Sequence, residues 1–129
     1  MIRYKDWMNQ AREDLKAAKD SISTEHYEWV CFQSQQSSEK ALKALLQYHN
    51  IESRGHSLIR LLHKLQQLGI NIPDELWVFA QELDMQYIQP RYPNGFSEGY
   101  PSEYYNKEIA ERCINYATRI FEFVEQSIE

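Results

Sequence analysis

The sequence has few of the residues that interrupt helices or cross-link a chain. Only four glycines and four prolines occur among its 129 residues, so long uninterrupted helices are permitted. The two cysteines, Cys31 and Cys113, belong to no Cys-x-x-Cys or Cys/His pattern. We therefore expect buried thiols rather than a disulfide or a metal site, and we predict no metal and no cofactor.

An excess of basic charge and long apolar runs are missing as well. The net charge of −5 differs from the strongly basic balance of proteins that hold nucleic acid by its phosphates, and we predict no DNA partner. No apolar run approaches the ~20 residues that cross a bilayer. The charged start Met-Ile-Arg-Tyr-Lys-Asp is unlike a signal peptide. These features predict a soluble, cytoplasmic protein without a membrane partner.

Apolar residues recur at steps of three or four over most of the chain, which indicates amphipathic helices. Ser57 is suited to cap a helix N-terminus, and Gly69 and Pro90 are suited to stop the helices before them. Short connections should make successive helices antiparallel. We predict a single domain over residues 1–129, an all-α, antiparallel up-and-down bundle of four to five helices. The predicted helices span about 3–22, 25–49, Ser57 to Leu68, Pro73 to the loop at 88, and 103–127.

The second predicted helix carries an unusual polar stretch, Gln33 to Ser38, at positions where a long helix should bury its face. Its C-terminal half is apolar and should pack within the bundle. A helix with two engaged faces can contact two neighbours. We therefore predict that the face with the serines and glutamines meets a second copy of the chain, which makes the protein a homodimer.

Residues 88–102 form a predicted loop that is long for a compact domain, and such loops are uncommon unless they have a function. Arg91 offers a planar, permanently charged fork that fits a phosphate. Tyr87, Tyr92 and Tyr104 could stack on a base. The alternative is a loop held to the bundle by aromatic packing, with Arg91 bonded to helix C-terminal carbonyls.

Three segments together resemble the HEPN family, named for higher eukaryotes and prokaryotes nucleotide-binding, and in particular its compact prokaryotic members. They are the stretch from Gln33 to Leu46, which ends in the run Glu-Lys-Ala-Leu-Lys-Ala-Leu-Leu, Gly-His-Ser at 55–57, and the loop at 87–94. The resemblance implies a homodimeric nucleotide-binding subunit, or the partner or substrate-binding subunit of a minimal nucleotidyltransferase, in a toxin-antitoxin-like pair. The aromatic loop would then bind a nucleotide or RNA, or present a tyrosine hydroxyl to the partner.

The resemblance also raises a second function, a metal-independent ribonuclease toxin. Such HEPN proteins use an arginine followed, after four to six residues, by a histidine. No histidine follows Arg91 at that spacing, and Arg54 and Arg60 reach His56 and His63 too soon. Cleavage without a metal needs a group that titrates near neutrality, as histidine does. The sequence therefore favours a binding module without catalytic activity of its own.

Three further residues are candidates for the site. His56 precedes a predicted helix N-terminus, where an anion would meet free backbone N–H groups; alternatively, it caps that helix. Lys40 belongs to the family-like helix motif. Asp84 lies on the largely apolar fourth helix, where a charge is costly unless paired, and we expect it to pair with Arg91 or Lys40.

Overall fold

A computed structural model describes residues 3–128 of the chain. Within that range the backbone forms five α-helices and no β-strand, which confirms the all-α prediction. The helices are α1 (Tyr4–Ser21), α2 (Tyr27–Tyr48), α3 (Leu58–Gln67), α4 (Asp74–Asp84) and α5 (Lys107–Ser127).

Helix α2 is the centre of the bundle. It packs mainly against α1 and α5 and also contacts α3 and α4. Every residue from 41 to 47 is buried, and Leu42, Leu45 and Leu46 are fully enclosed. Burial of a leucine side chain contributes roughly 1.5–3 kcal/mol relative to exposure. The apolar half of α2 therefore anchors the fold, as its sequence indicates.

The polar half of α2 is also inside the protein, so the predicted contact of this face with a second copy is wrong. Ser34, Ser37 and Ser38 are completely buried. The Ser37 hydroxyl donates to the Ala11 carbonyl of α1 at 2.8 Å, and the Ser38 hydroxyl donates to the Ser34 carbonyl at 3.0 Å. Because a serine hydroxyl can donate its hydrogen bond to a nearby backbone carbonyl, these small side chains can be buried between two closely packed helices.

Both predicted signals around α3 are confirmed. The Ser57 Oγ accepts a hydrogen bond from the Arg60 amide at 3.3 Å, as an N-cap residue does. Gly69 follows the end of the helix with φ of +87°, a left-handed conformation that glycine adopts without strain.

The last helix begins four residues later than predicted. Pro101–Tyr104 forms a separate 3₁₀ turn, and α5 starts at Lys107. The Asn106 side chain accepts a hydrogen bond from the Ile109 amide at 2.9 Å and so caps α5. Proline is tolerated at the first position of a 3₁₀ turn and of an α-helix, so Pro101 alone does not mark the start of α5. The cap provided by Asn106 marks it.

Cys31 on α2 and Cys113 on α5 are both buried free thiols, as expected. A hydrogen bond with Cys113 and burial raise the pKa of the Cys31 thiol. Over residues 3–128, no group of three or more His, Cys, Asp and Glu side chains is placed to hold a metal ion. In the same range no helix combines the length and the apolar character needed to span a bilayer.

Candidate functional site

Arg91 lies at the start of the loop that joins α4 to α5, and its guanidinium is surrounded by aromatic rings. Its Cζ atom is 4.5 Å from the ring centre of Phe32, 4.6 Å from that of Tyr87 and 5.2 Å from that of Tyr92. Its Nε atom donates a hydrogen bond to the Tyr87 carbonyl at 2.7 Å. These residues, together with His56, are called the Arg91 cluster below.

The guanidinium of Arg91 keeps most of its hydrogen-bonding capacity. Within residues 3–128 its two terminal nitrogens form no hydrogen bond and no ion pair. Arginine carries five N–H donors, and the bond to the Tyr87 carbonyl uses one. Aromatic packing therefore holds the arginine in place, as the alternative interpretation of the loop expected, while the charged fork stays available to a ligand.

His56 joins the cluster from the turn before α3. Its ring stacks on the Tyr87 ring with centres 4.2 Å apart and an interplanar angle of 16°. Its Nδ1 atom lies 3.1 Å from Glu39 Oε1, and its carbonyl accepts a hydrogen bond from Gln35 Nε2 at 3.0 Å. About half of the side chain, 52%, is exposed. His56 therefore faces the Arg91 cluster, and Ser57 serves as the cap of α3 instead.

Glu39 reaches the Arg91 cluster through its contact with His56, although its sequence pattern indicates only a local ion pair. The spacing to Lys43 indicates an ordinary i, i+4 ion pair, and the structure contains that pair at 2.9 Å. Both side chains are nearly enclosed, at 7% and 9% exposure, and Lys43 Nζ lies 5.7 Å from the Trp7 ring centre. The additional contact with His56 bridges 17 positions of sequence, and no local pattern indicates it.

Asp84 is the last residue of α4, and its side chain reaches the N-terminus of α3. Its carboxylate accepts hydrogen bonds from the Ser57 hydroxyl at 2.9 Å, the Leu58 amide at 2.6 Å and the Ile59 amide at 3.2 Å. A carboxylate at this place satisfies free N–H groups and complements the helix dipole. The place predicted for an external anion is therefore filled by the protein itself.

The expected pairing of Asp84 with Arg91 or Lys40 is wrong. Asp84 bonds to α3, and Lys40 pairs instead with Asp14 of α1 at 2.5 Å. Lys40 lines a separate groove of about 370 Å³ between α1 and α2, together with Arg3, Asp6, Trp7 and Gln10.

Tyr104 also lies in a separate stack. Its ring lies 4.2 Å from that of Phe96, nearly parallel to it, and its hydroxyl donates to the Glu98 carbonyl at 2.5 Å. Of the residues predicted for the site, the fold thus assembles Arg91, Tyr87, Tyr92 and His56. Asp84, Lys40 and Tyr104 form their contacts outside this cluster.

Exposed apolar side chains flank the Arg91 cluster. Trp29 is 43% exposed and meets Phe32 edge to face, with ring centres 5.9 Å apart. Ile88 and Tyr92 are each 48% exposed. Large apolar side chains grouped beside a partly buried charge are typical of interaction sites.

A model of the HEPN domain matches residues 4–127. The chain belongs to the HEPN family. This HEPN chain is 30% identical to protein MJ1304 of Methanocaldococcus jannaschii, which is named as a candidate toxin. The match runs over 141 aligned positions and covers 99% of this chain and 90% of that protein.

The solved structures with a similar fold include two that are also similar to this HEPN chain in sequence over nearly their whole length. The crystal structure of TT1696 from Thermus thermophilus superposes with a TM-score of 0.95 at 36% identity, covering 98% of this chain and 99% of that one. The crystal structure of ST0689, an archaeal HEPN homologue, superposes with a TM-score of 0.84 at 44% identity over the full length of both chains.

Proposed function

We propose that this HEPN protein is a cytoplasmic, homodimeric nucleotide-binding subunit that acts as the partner or substrate-binding subunit of a minimal nucleotidyltransferase. The observation that carries the proposal is the environment of Arg91. A partly buried guanidinium normally pairs with a carboxylate, since an uncompensated charge is costly to enclose. Here aromatic rings take that place, and the terminal nitrogens remain open to an anion.

A nucleotide matches this arrangement in two ways. The two terminal nitrogens of Arg91 suit a phosphate, because a guanidinium can form two parallel bonds to it. The exposed ring of Tyr92 and the neighbouring Trp29 offer flat faces on which a base can stack. The net charge of −5 favours a small anionic ligand held by one cation over a long polyanion held by many.

The exposed apolar surface formed by Trp29, Ile88 and Tyr92 supports the proposal of a protein partner or a second copy at this site. Sedimentation at micromolar concentration should give twice the chain mass of 15.4 kDa. A monomer would contradict the homodimer and any site shared between two chains.

A ribonuclease is the second candidate, and one observation favours it. Arg91 and His56 do not have the spacing of the family motif, yet both contact the ring of Tyr87. The fold thus packs an arginine and a histidine from distant segments of the sequence against the same tyrosine ring. Histidine could take the proton of a ribose 2′-hydroxyl while arginine stabilises the phosphate.

Titration calorimetry with AMP, ATP and GTP, alongside incubation with single-stranded RNA without metal, separates the two functions. We expect binding of at least one nucleotide and intact RNA. RNA cleavage that is lost in His56→Ala would establish the second candidate instead. A protein that binds none of the nucleotides, alone or with its nucleotidyltransferase, would contradict the proposed ligand.

A further inference from the structure

Glu39 connects the enclosed interior of α2 to the histidine of the site. Its Oε2 accepts a hydrogen bond from Lys43 Nζ at 2.9 Å, and its Oε1 lies 3.1 Å from His56 Nδ1. Glu39 and Lys43 are almost completely enclosed, whereas the His56 side chain is 52% exposed. The carboxylate therefore contacts the Lys43 ammonium inside the protein and the His56 imidazole at the surface, and its Oε1 also accepts a hydrogen bond from Gln35 Nε2 at 3.4 Å.

The contact between Glu39 and His56 determines which imidazole nitrogen carries the proton. An ionised carboxylate can only accept hydrogen bonds, so the nitrogen that faces it must donate. The ammonium of Lys43 donates to the other oxygen of the same carboxylate at 2.9 Å, so both oxygens face nitrogen atoms. With Nδ1 of His56 as the donor to this carboxylate, Nε2 of the neutral ring is the nitrogen without a hydrogen atom.

We infer that Glu39 is a positioning residue, which keeps the proton of neutral His56 on Nδ1 and so presents Nε2 as a hydrogen-bond acceptor at the Tyr87 ring, on which Arg91 also packs. Two contacts orient the ring, the carboxylate itself and the parallel stack on Tyr87. The bond from Gln35 to the His56 carbonyl holds the backbone of this residue. Within residues 3–128, Nε2 forms no hydrogen bond.

The inference refines the ligand of the proposed function, and in this respect it rests on that function. Arg91 offers only donors, which suit a phosphate, and His56 Nε2 offers an acceptor, which suits a hydroxyl. A nucleotide carries both kinds of group, a phosphate and ribose hydroxyls, so the two side chains together match its chemistry. Without Glu39, the imidazole would be free to turn or to present an N–H at the same place.

Nitrogen-15 NMR of the histidine side chains tests the inference directly on the ligand-free protein. The spectrum is recorded at about pH 8.5, where imidazole side chains are ordinarily neutral. We expect the His56 signals of a ring protonated on Nδ1, assigned by their loss in His56→Gln. A neutral His56 ring protonated on Nε2 would overturn the inference without the need for any other variant.

Two variants show whether Glu39 is the cause. Glu39→Leu combined with Lys43→Met replaces the enclosed pair by apolar side chains of similar volume, which proteins commonly tolerate. We expect the His56 signals to shift toward the Nε2-protonated form in this double variant. Asp14→Asn is the matched control, because it breaks the ion pair with Lys40 and has no contact with His56. Unchanged His56 signals in the folded double variant would overturn the inference.

The result is independent of ligand binding, because the NMR measurement uses the free protein. Failure to bind AMP, ATP or GTP would contradict the proposed function while the protonation of His56 stands. Conversely, a protein that binds a nucleotide but carries the proton of His56 on Nε2 contradicts the role of Glu39 alone.

Discussion

Arg91 and Arg119 both place a guanidinium over aromatic rings, but they differ in their charged neighbours. Arg119, on α5, lies 5.8 Å from the Phe79 ring centre and forms an ion pair with Glu75 of α4. Arg91 lies over the rings of its cluster and has no carboxylate partner within residues 3–128. Phe79 is itself stacked on Tyr116 at 4.6 Å, much as Tyr87 is stacked on His56.

The two arginines have similar aromatic neighbours but differ in whether a carboxylate neutralises their charge. Arg119 forms an ion pair with Glu75, which links α5 to α4. Within residues 3–128 the charge of Arg91 meets ring faces and the Tyr87 carbonyl, which attract a cation but do not neutralise it. An anionic ligand can therefore gain more from Arg91 than from Arg119.

The largest expected effect is on ligand binding. We expect Arg91→Ala to weaken nucleotide or partner binding about 10- to 100-fold, because a charge-assisted hydrogen bond contributes about 1.5–3 kcal/mol. Arg119→Ala, which removes the same side chain from a similar ring, should change the affinity less than about twofold. Calorimetry with the best-binding nucleotide measures both.

Melting temperatures decide how the Arg91→Ala result is interpreted. The side chain fills no core cavity, so the variant should melt close to the parent protein. A steep fall in melting temperature, with binding reduced only in proportion to the unfolded fraction, would identify Arg91 as a structural residue.

The second prediction concerns Asp84, which caps the helix that follows His56 and forms no hydrogen bond or ion pair with Arg91 among residues 3–128. Asp84→Ala removes three hydrogen bonds to the N-terminus of α3. We expect the free energy of unfolding to fall by about 2 kcal/mol, the upper range for the loss of a helix cap. Urea denaturation followed by circular dichroism measures it. A variant as stable as the parent would show that water replaces the carboxylate at no cost.

The third prediction separates charge from shape at Arg91. Arg91→Lys keeps the positive charge but loses the planar fork and its stacking on the rings. We expect binding about five- to tenfold weaker than that of the parent, a loss of about 1–1.4 kcal/mol. Affinity equal to that of Arg91→Ala would mean that the planar fork, and not the charge, holds the ligand.

The smallest expected effect concerns the stability that Arg119 contributes. Its ion pair with Glu75 joins side chains that are 49% and 46% exposed, and pairs of this kind contribute little. Arg119→Ala should lower the free energy of unfolding by about 0.5 kcal/mol or less, and the difference should shrink as salt screens the charges. A difference that persists in about 1 M salt would assign the stability to the contact with Phe79 instead.

The helices could be predicted from the sequence because the residues that start, stop and face each helix lie close to one another along the chain. Apolar spacing places five helices, Ser57 and Gly69 delimit α3, and the long loop after α4 is marked by its prolines. These features depend on residues within about one or two helical turns of each other. The late start of α5 is the exception, because a proline and an asparagine compete for the same boundary.

The site could be predicted only in part, because its decisive contacts join distant segments. Arg91 and its tyrosines are neighbours in sequence, and their composition indicates a site. The Glu39–His56 contact and the Asp84–Ile59 bond of the cap span 17 and 25 positions, so no periodic pattern reveals them. The burial of Ser37 depends on a hydrogen bond to the Ala11 carbonyl of α1, and no sequence pattern indicates a bond between the backbone of one helix and the side chain of another.

The cap of α3 by Asp84 also has a consequence for the order in which the chain acquires structure. Helix α3 has only ten residues, and isolated helices of that length are marginal in water. Two of its first amide groups find their acceptor on α4, so α3 gains its full protection only after α4 has docked. The two helices should therefore exchange their amide hydrogens as one cooperative unit, and the segments that carry His56 and Tyr87 should become ordered together.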